Sequence, residues 1–299
     1  MIRHRIAPRA FAVLVAITTA LLVGWQAQAA PAAASDRIAV TVTGKGPDVV
    51  LIPGLASSCA VWDATVRQIS DRYRVHVVQV AGFAGAPVAG NGEGPVLEPL
   101  VEAVDAYIVS AGLRSPAVIG HSMGGLTGLM LARRHPASVG RLMVVDSLPF
   151  YPVLFSPAAT VEGVRPQAAA MRDGMLALSP QAYAAQQAMT LPRLVKSPEG
   201  LKAVTAWSGA SSQSVVARAF YDVLTTDLRD ALATISTPTT MLYPYDPAMG
   251  VPSATVDGTY GGAYAGLPNA RLERIDGSFH FIMIDQPQAF AAAVERFLN

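Results

Sequence analysis

Gly120-His121-Ser122-Met123-Gly124 spells G-x-S-x-G, the pattern that puts a serine at the apex of a sharp strand-to-helix turn and makes it a nucleophile. An apolar run, Ala117-Val118-Ile119, precedes it, and a helix-like run, Leu126 to Arg134, follows. Glycines at 120 and 124 leave room for the turn where side chains would collide with the neighbouring strand and helix. The N-terminus of the following helix then points at the place where negative charge develops in acyl transfer. Glycine-rich strand-to-helix turns also occur without any catalytic serine. The rest of the chain must therefore supply a base, an acid and oxyanion donors.

A serine hydroxyl needs a base within hydrogen-bond reach, and the base needs an orienting carboxylate. The chain has five histidines. His4 belongs to an N-terminal segment expected to be removed, His76 lies inside a strand, and His135 precedes Pro136 at a helix end. The turn is expected to aim His121 away from the serine's chemistry. His280, in Gly277-Ser278-Phe279-His280-Phe281, falls in a loop between the last strand and the last helix. That loop opens at the sheet edge where Ser122 also sits. Two acids qualify. Asp246 follows the strand 239–243 and gives the chain order Ser, Asp, His, so it is preferred. Asp146, ending the strand just after the nucleophile helix, is the alternative, with a turn role as its plainer reading. The backbone N–H groups of Met123 and of Leu55, in the loop Pro53-Gly54-Leu55-Ala56, are the expected oxyanion donors.

Strand-like and helix-like segments alternate, which predicts a mostly parallel sheet flanked by helices. Strands are expected at 37–42, 48–52, 73–80, in the run into Ser122, and at 141–145, 239–243 and 271–275. Helices are expected at 60–69, 96–111, after Ser122 to His135, at 228–235 and at 288–298. From about 147 to 226 strand signals vanish. Helical stretches at 165–178, 180–189, 198–207 and 213–224 are separated by prolines. This predicts a helical cap, 147–226, inserted into a core formed by 30–146 and 227–299.

Together the Pro53-Gly54-Leu55 turn, the Gly-His-Ser-Met-Gly-Gly elbow with Gly125, Asp246 and the Ser278-Phe279-His280 loop resemble the α/β-hydrolase superfamily. The resemblance runs from about Ile38 to the end. Pro53 stands where the family usually has His, which leaves the backbone donor role intact. The resemblance implies attack by Ser122 on an ester carbonyl, with His280 as the base and Asp246 holding its tautomer. No metal or organic cofactor is implied. Serine at the elbow disfavours haloalkane dehalogenase and epoxide hydrolase chemistry, which uses aspartate there. A small-molecule ester is the expected substrate. Peptidase, lactonase, carbon–carbon hydrolase and acyltransferase chemistry stay open, as does a catalytically silent binding module. Cap residues Leu154, Phe155, Met171, Met175, Leu176, Leu178, Met189 and Leu191 either line an acyl pocket or pack the cap on the core. An aminopeptidase would need carboxylates for a free amine, and Glu162, Asp173, Glu199 and Asp222 are available.

Arg3, Arg5 and Arg9 precede a mostly apolar run from Phe11 to Trp25 and the small-residue site Ala27-Gln28-Ala29. This is the build of a secretory signal peptide over 1–29, too short in its core for the roughly 20 apolar residues of a membrane span. A secreted or periplasmic protein without a stable membrane span after cleavage is expected. The leader holds 3 of the 22 basic residues and none of the 21 acidic ones, so the remainder carries a net −2. That balance argues against nucleic acid as a partner. The single cysteine, Cys59, cannot form an internal disulfide, and a small buried apolar role is the expectation. No zinc-like spacing of Cys and His occurs.

Overall fold

The computed structural model describes residues 35–299. The expected leader, 1–29, lies outside them. The sheet has seven strands: β1 (Ile38–Thr43), β2 (Asp48–Ile52), β3 (Arg74–Val80), β4 (Ala117–His121), β5 (Arg141–Val145), β6 (Thr239–Tyr245) and β7 (Ala270–Asp276). Their order is β1-β3-β2-β4-β5-β6-β7. Only β1 runs antiparallel. The central strands β2, β4 and β5 are buried on both faces and read as unbroken apolar runs, as strands in a covered parallel sheet must. Alternate residues divide between two cores. Val50 and Ile52 join Leu100, Val104 and Leu126, whereas Val49 and Leu51 join Trp62, Ile69, Phe290 and Val294.

Helices α1 (Asp63–Ile69), α2 (Leu97–Ser110) and α3 (Met123–Arg134) follow β2, β3 and β4 in turn. Helix α3 is buried from Met123 to Ala132. Its glycines let it lie against the sheet, since a Cβ on Gly124 would stand 2.3 Å from the Ile52 carbonyl oxygen. Between β5 and β6 come α4 (Val161–Ala177), α5 (Pro180–Thr190), α6 (Pro198–Ala210) and α7 (Gln213–Thr225). Hydroxyls of Thr160, Ser179 and Ser197 accept the N–H groups of Gly163, Ala182 and Gly200 and fix three of these starts. Each such cap is worth about 1 kcal/mol. The Thr160 cap explains why α4 begins a turn before the expected Arg165 and carries Pro166 inside it. Helix α7 anchors the group by burying Val215, Val216, Ala219 and Val223.

Two elements depart from the expectations. Residues 229–234 form a 3-10 turn rather than an α-helix. A helix absent from the sequence reading, α8 (Ser253–Tyr264), lies between β6 and β7. Gly258, Gly261 and Gly262 lower its intrinsic propensity, and burial of Tyr260 and Tyr264 compensates. A short α9 (Ile282–Asp285) and a closing α10 (Pro287–Leu298) complete the chain. Among the described residues no helix is long and apolar enough to cross a membrane.

Candidate active site

Ser122 leaves β4 with φ 55° and ψ −122°, a region a non-glycine residue occupies only when its surroundings impose it. The imposition is visible. The Ser122 N–H is held by the Val145 carbonyl at 2.9 Å, while the N–H groups of Gly125 and Leu126 return to the Ser122 carbonyl at 2.8 and 3.1 Å. A side chain at Gly120 would put its Cβ 2.1 Å from the Gly124 carbonyl oxygen, so the strand can deliver the serine only with glycine there. Met123, the first residue of α3, has no acceptor for its N–H within the helix. On the other side, Gly54 packs on the serine, since a Cβ at 54 would lie 3.0 Å from Ser122 Cβ. Leu55 follows directly, and Ala56 bends the loop with φ 55°.

Ser122 is 8% exposed, and so is Asp146. The two are cross-strand neighbours at the sheet rim, because β4 and β5 pair through His121 and Val145, the residues just before them. Asp146 also turns out of its strand in the left-handed region, with φ 43°. Its N–H still reaches the Leu242 carbonyl at 2.8 Å. His280 Nδ1 stands 2.5 Å from Asp146 Oδ2. With the carboxylate ionised, Nδ1–H is the donor, and Nε2 remains as the free ring nitrogen.

The carboxylate on His280 is thus Asp146, and the preference for Asp246 is corrected. Asp246 is engaged elsewhere. It pairs with Lys196 Nζ and accepts the Ala248 N–H at 2.8 Å. These two donors hold its carboxyl below the ordinary Asp range. The reason is strand length. β5 pairs with β6 as far as Leu242, and β6 then continues along β7 to Tyr245. Asp246 therefore stands three residues farther along than Tyr243, the position level with Asp146, or about 10 Å at strand rise.

His121 also departs from expectation. It does not point away from the chemistry. Its ring lies 4.5 Å from that of His280 and 4.8 Å from that of Phe281, centroid to centroid. Its Nε2–H donates to the His280 carbonyl at 3.0 Å. The residue before Ser122 thus holds the loop of His280. It is fully buried, and burial, aided by the proximity of His280, pushes its pKa far below the usual 6.5. The sign follows directly. Below pH 6.5 the unfolded chain takes up a proton that the folded chain refuses, so stability is intact above that pH and falls below it. The slope is about 1.4 kcal/mol per pH unit. Denaturant midpoints measured from pH 7 to 5 should fall, and His121→Phe should remove one proton's share of the slope.

Tyr151 and Tyr260, which the sequence reading missed, complete the site, and Tyr264 lies one turn along α8 from Tyr260. Tyr151 OH lies 3.4 Å from Ser122 Oγ and 3.3 Å from the Asp146 carbonyl. Burial pushes its phenol pKa up, so it remains a neutral hydroxyl. Tyr260 OH donates to Asp146 Oδ1, and Tyr264 OH donates to the Ser147 carbonyl at 2.8 Å. The one available signal was their i, i+4 spacing, which marks a helix face, but the intervening glycines masked it.

Other sequence candidates are occupied elsewhere. Asp222 Oδ2 accepts the N–H groups of Val96 and Leu97 at 2.7 and 3.1 Å and so caps α2. Asp173 is exposed and pairs with Arg172, while Glu162 and Glu199 are exposed in first helical turns. His76 bridges Asp48 and Tyr107, and His135 faces Glu102 and Asp105. Of the apolar cap residues, Leu191 is buried, whereas Leu154, Phe155, Met171, Leu176 and Met189 are exposed.

A family model described as the Alpha/beta hydrolase family matches residues 49–293. The chain is 29% identical over 269 residues to a pimeloyl-[acyl-carrier protein] methyl ester esterase of Aeromonas hydrophila, covering 88% of this chain and 99% of that protein. To the Vibrio cholerae protein of the same name it is 31% identical over 207 residues, or 68% of this chain and 76% of that one. A solved hydrolase from Pseudomonas aeruginosa shares the fold with a TM-score of 0.72 at 23% identity, over 88% and 94% of the two chains. An enol-lactonase from Burkholderia xenovorans does so with 0.69 at 21%, over 87% and 96%. With that match running from β2 into α10 and taking in the serine turn, the chain belongs to the alpha/beta hydrolase family.

Proposed function

We propose that the protein hydrolyses carboxylic esters of small or apolar substrates through an acyl-enzyme on Ser122, with His280 as general base and Asp146 as its orienting acid. The observation that carries this reading is the 2.5 Å contact between His280 Nδ1 and Asp146 Oδ2, beside the serine turn. Kinship with named methyl ester esterases supports an ester as the substrate. The outside engagements of Asp222 and Asp173 weigh against an amine-holding peptidase site.

Ser122 Oγ attacks the ester carbonyl carbon while His280 Nε2 takes its proton. The carbonyl electron pair moves to oxygen, where the N–H groups of Met123 and Leu55 hold it. Two preorganised donors in a dry site contribute several kcal/mol at that point. The carbon–oxygen bond to the leaving group breaks, and His280 passes its proton to the departing alkoxide. Water then attacks the acyl-serine, His280 taking its proton and returning one to Ser122 Oγ as the acid leaves. Through both steps Asp146 fixes the Nδ1–H tautomer and stabilises the imidazolium. The segment 147–226 acts as a cap over this rim.

The test is turnover of p-nitrophenyl esters of increasing acyl length, with an amide and a lactone for comparison, alongside labelling by a fluorophosphonate probe. Ester hydrolysis with labelling at Ser122 is expected. Absence of both would leave a silent binding module. Residues 1–29 serve, in the same proposal, as an export leader. Mass spectrometry of the protein from a periplasmic fraction should show a chain beginning at Ala30. An intact chain at the membrane would mark an anchor instead.

A further inference from the structure

Asp146 makes more hydrogen bonds than the orientation of a histidine requires. Oδ2 receives His280, and Oδ1 receives the phenol of Tyr260, a residue 6% exposed on α8. Nothing in the chemistry of a serine, a base and an acid calls for that second donor. The phenol is firmly aimed. Its ring stacks on Tyr243 with centroids 4.7 Å apart and planes 20° off parallel, and Tyr243 OH is in turn held by Asp257 Oδ1 at 3.0 Å. A carboxylate turns easily about its terminal bond, which has only a broad two-fold preference. A fixed donor on one oxygen ends that freedom and presents the other oxygen in one direction.

We propose that Tyr260 is a positioning residue for the acid: its phenol clamps Oδ1 of Asp146, aims Oδ2 at His280 Nδ1, and reduces the negative charge that the imidazole feels. The inference rests on the reading of Ser122, His280 and Asp146 as the reacting set. A hydroxyl that donates to a carboxylate spreads its charge. Without the donor, Asp146 grips the imidazolium proton more tightly. His280 then stays protonated to higher pH and is lost as a base over that range.

The surroundings let this effect be isolated. Facing His280 are Asp146 and the rings of neutral His121 and of Phe281, and Tyr151 lies at the Ser122 hydroxyl. Asp285 on α9 accepts the Phe279 N–H, and Lys196, paired with Asp246, reaches the Gly277 carbonyl. Facing Asp146 are Tyr151 at its carbonyl and Tyr260 at its side chain. Tyr264 lies one turn on from Tyr260 and is equally buried, but its hydroxyl goes to the Ser147 carbonyl. It is therefore a matched control for losing a buried phenolic hydroxyl from α8 without touching the carboxylate.

The experiment is the pH profile of kcat/KM for the full chain, Tyr260→Phe and Tyr264→Phe on one p-nitrophenyl ester. For Tyr260→Phe, kcat is expected to fall about tenfold, in line with one hydrogen bond to a charged group. Its acid limb should move up by roughly half a pH unit. In Tyr264→Phe the limb should stay in place. An unmoved limb in Tyr260→Phe, or an equal shift in both variants, overturns the proposal. Should Tyr260→Phe not fold, 3-fluorotyrosine at position 260 supplies a stronger donor of nearly the same shape and should move the limb down. No shift there overturns the proposal equally. Ser122→Ala separates the two levels: if its turnover persists, the underlying reading fails, and if it is dead while the limbs do not move, only the role of Tyr260 fails.

Discussion

Asp146→Asn is expected to lower kcat by about four orders of magnitude, the loss that follows when a triad histidine is left in the wrong tautomer. Asp146 now accepts two donors, the Tyr260 hydroxyl and His280 Nδ1–H. An amide has one acceptor oxygen for the two, and its NH2 group facing Nδ1 would force the imidazole proton onto Nε2. His280 could then no longer take the serine proton. Asp246→Asn should behave differently. It weakens an ion pair with a part-exposed Lys196, an interaction worth about 1 kcal/mol at most, and turnover should stay within about tenfold of the parent. Steady-state kinetics of the two variants decides the matter. If Asp246→Asn is the silent variant and Asp146→Asn the active one, the assignment of the acid is reversed.

Ser122→Ala should reduce kcat by about six orders of magnitude, leaving the residual rate due to binding and the oxyanion donors. Its stability should scarcely change. Among the described residues the serine hydroxyl has one hydrogen-bond partner, Tyr151 OH at 3.4 Å. The bonds that impose the turn are backbone bonds from Ser122, Gly125 and Leu126, which alanine keeps. Equal denaturant midpoints together with lost turnover and lost fluorophosphonate labelling identify the hydroxyl as the nucleophile. A variant that retains labelling places the reactive group elsewhere. A loss of several kcal/mol of unfolding free energy would show that the hydroxyl supports the turn itself.

Much of this protein is decided locally. Strand and helix periods are short-range patterns, so the seven strands and the helical stretch between β5 and β6 stood in the sequence within a few residues. The elbow is local too, since Gly120 and Gly124 are demanded by backbone atoms a few residues away or on the adjoining strand. Helix α8 was not legible, because its glycines argue against a helix and its warrant is burial of Tyr260 and Tyr264 against distant elements. The role of His121 escaped for the same reason. Its partners are His280 and Phe281, more than 150 residues away in the chain.

The choice of acid marks the boundary most sharply. By itself the sequence determined a serine on a strained turn, a histidine in the last loop, and two aspartates each ending a strand. Chain order favoured Asp246. The tertiary structure sets Asp146 against His280 instead, because β6 overshoots the rim at which β4 and β5 stop, and Lys196 meets the carboxylate that overshoots. Relative strand length and the partner waiting at each strand end are properties of the assembled sheet, and no window of residues along the chain contains them.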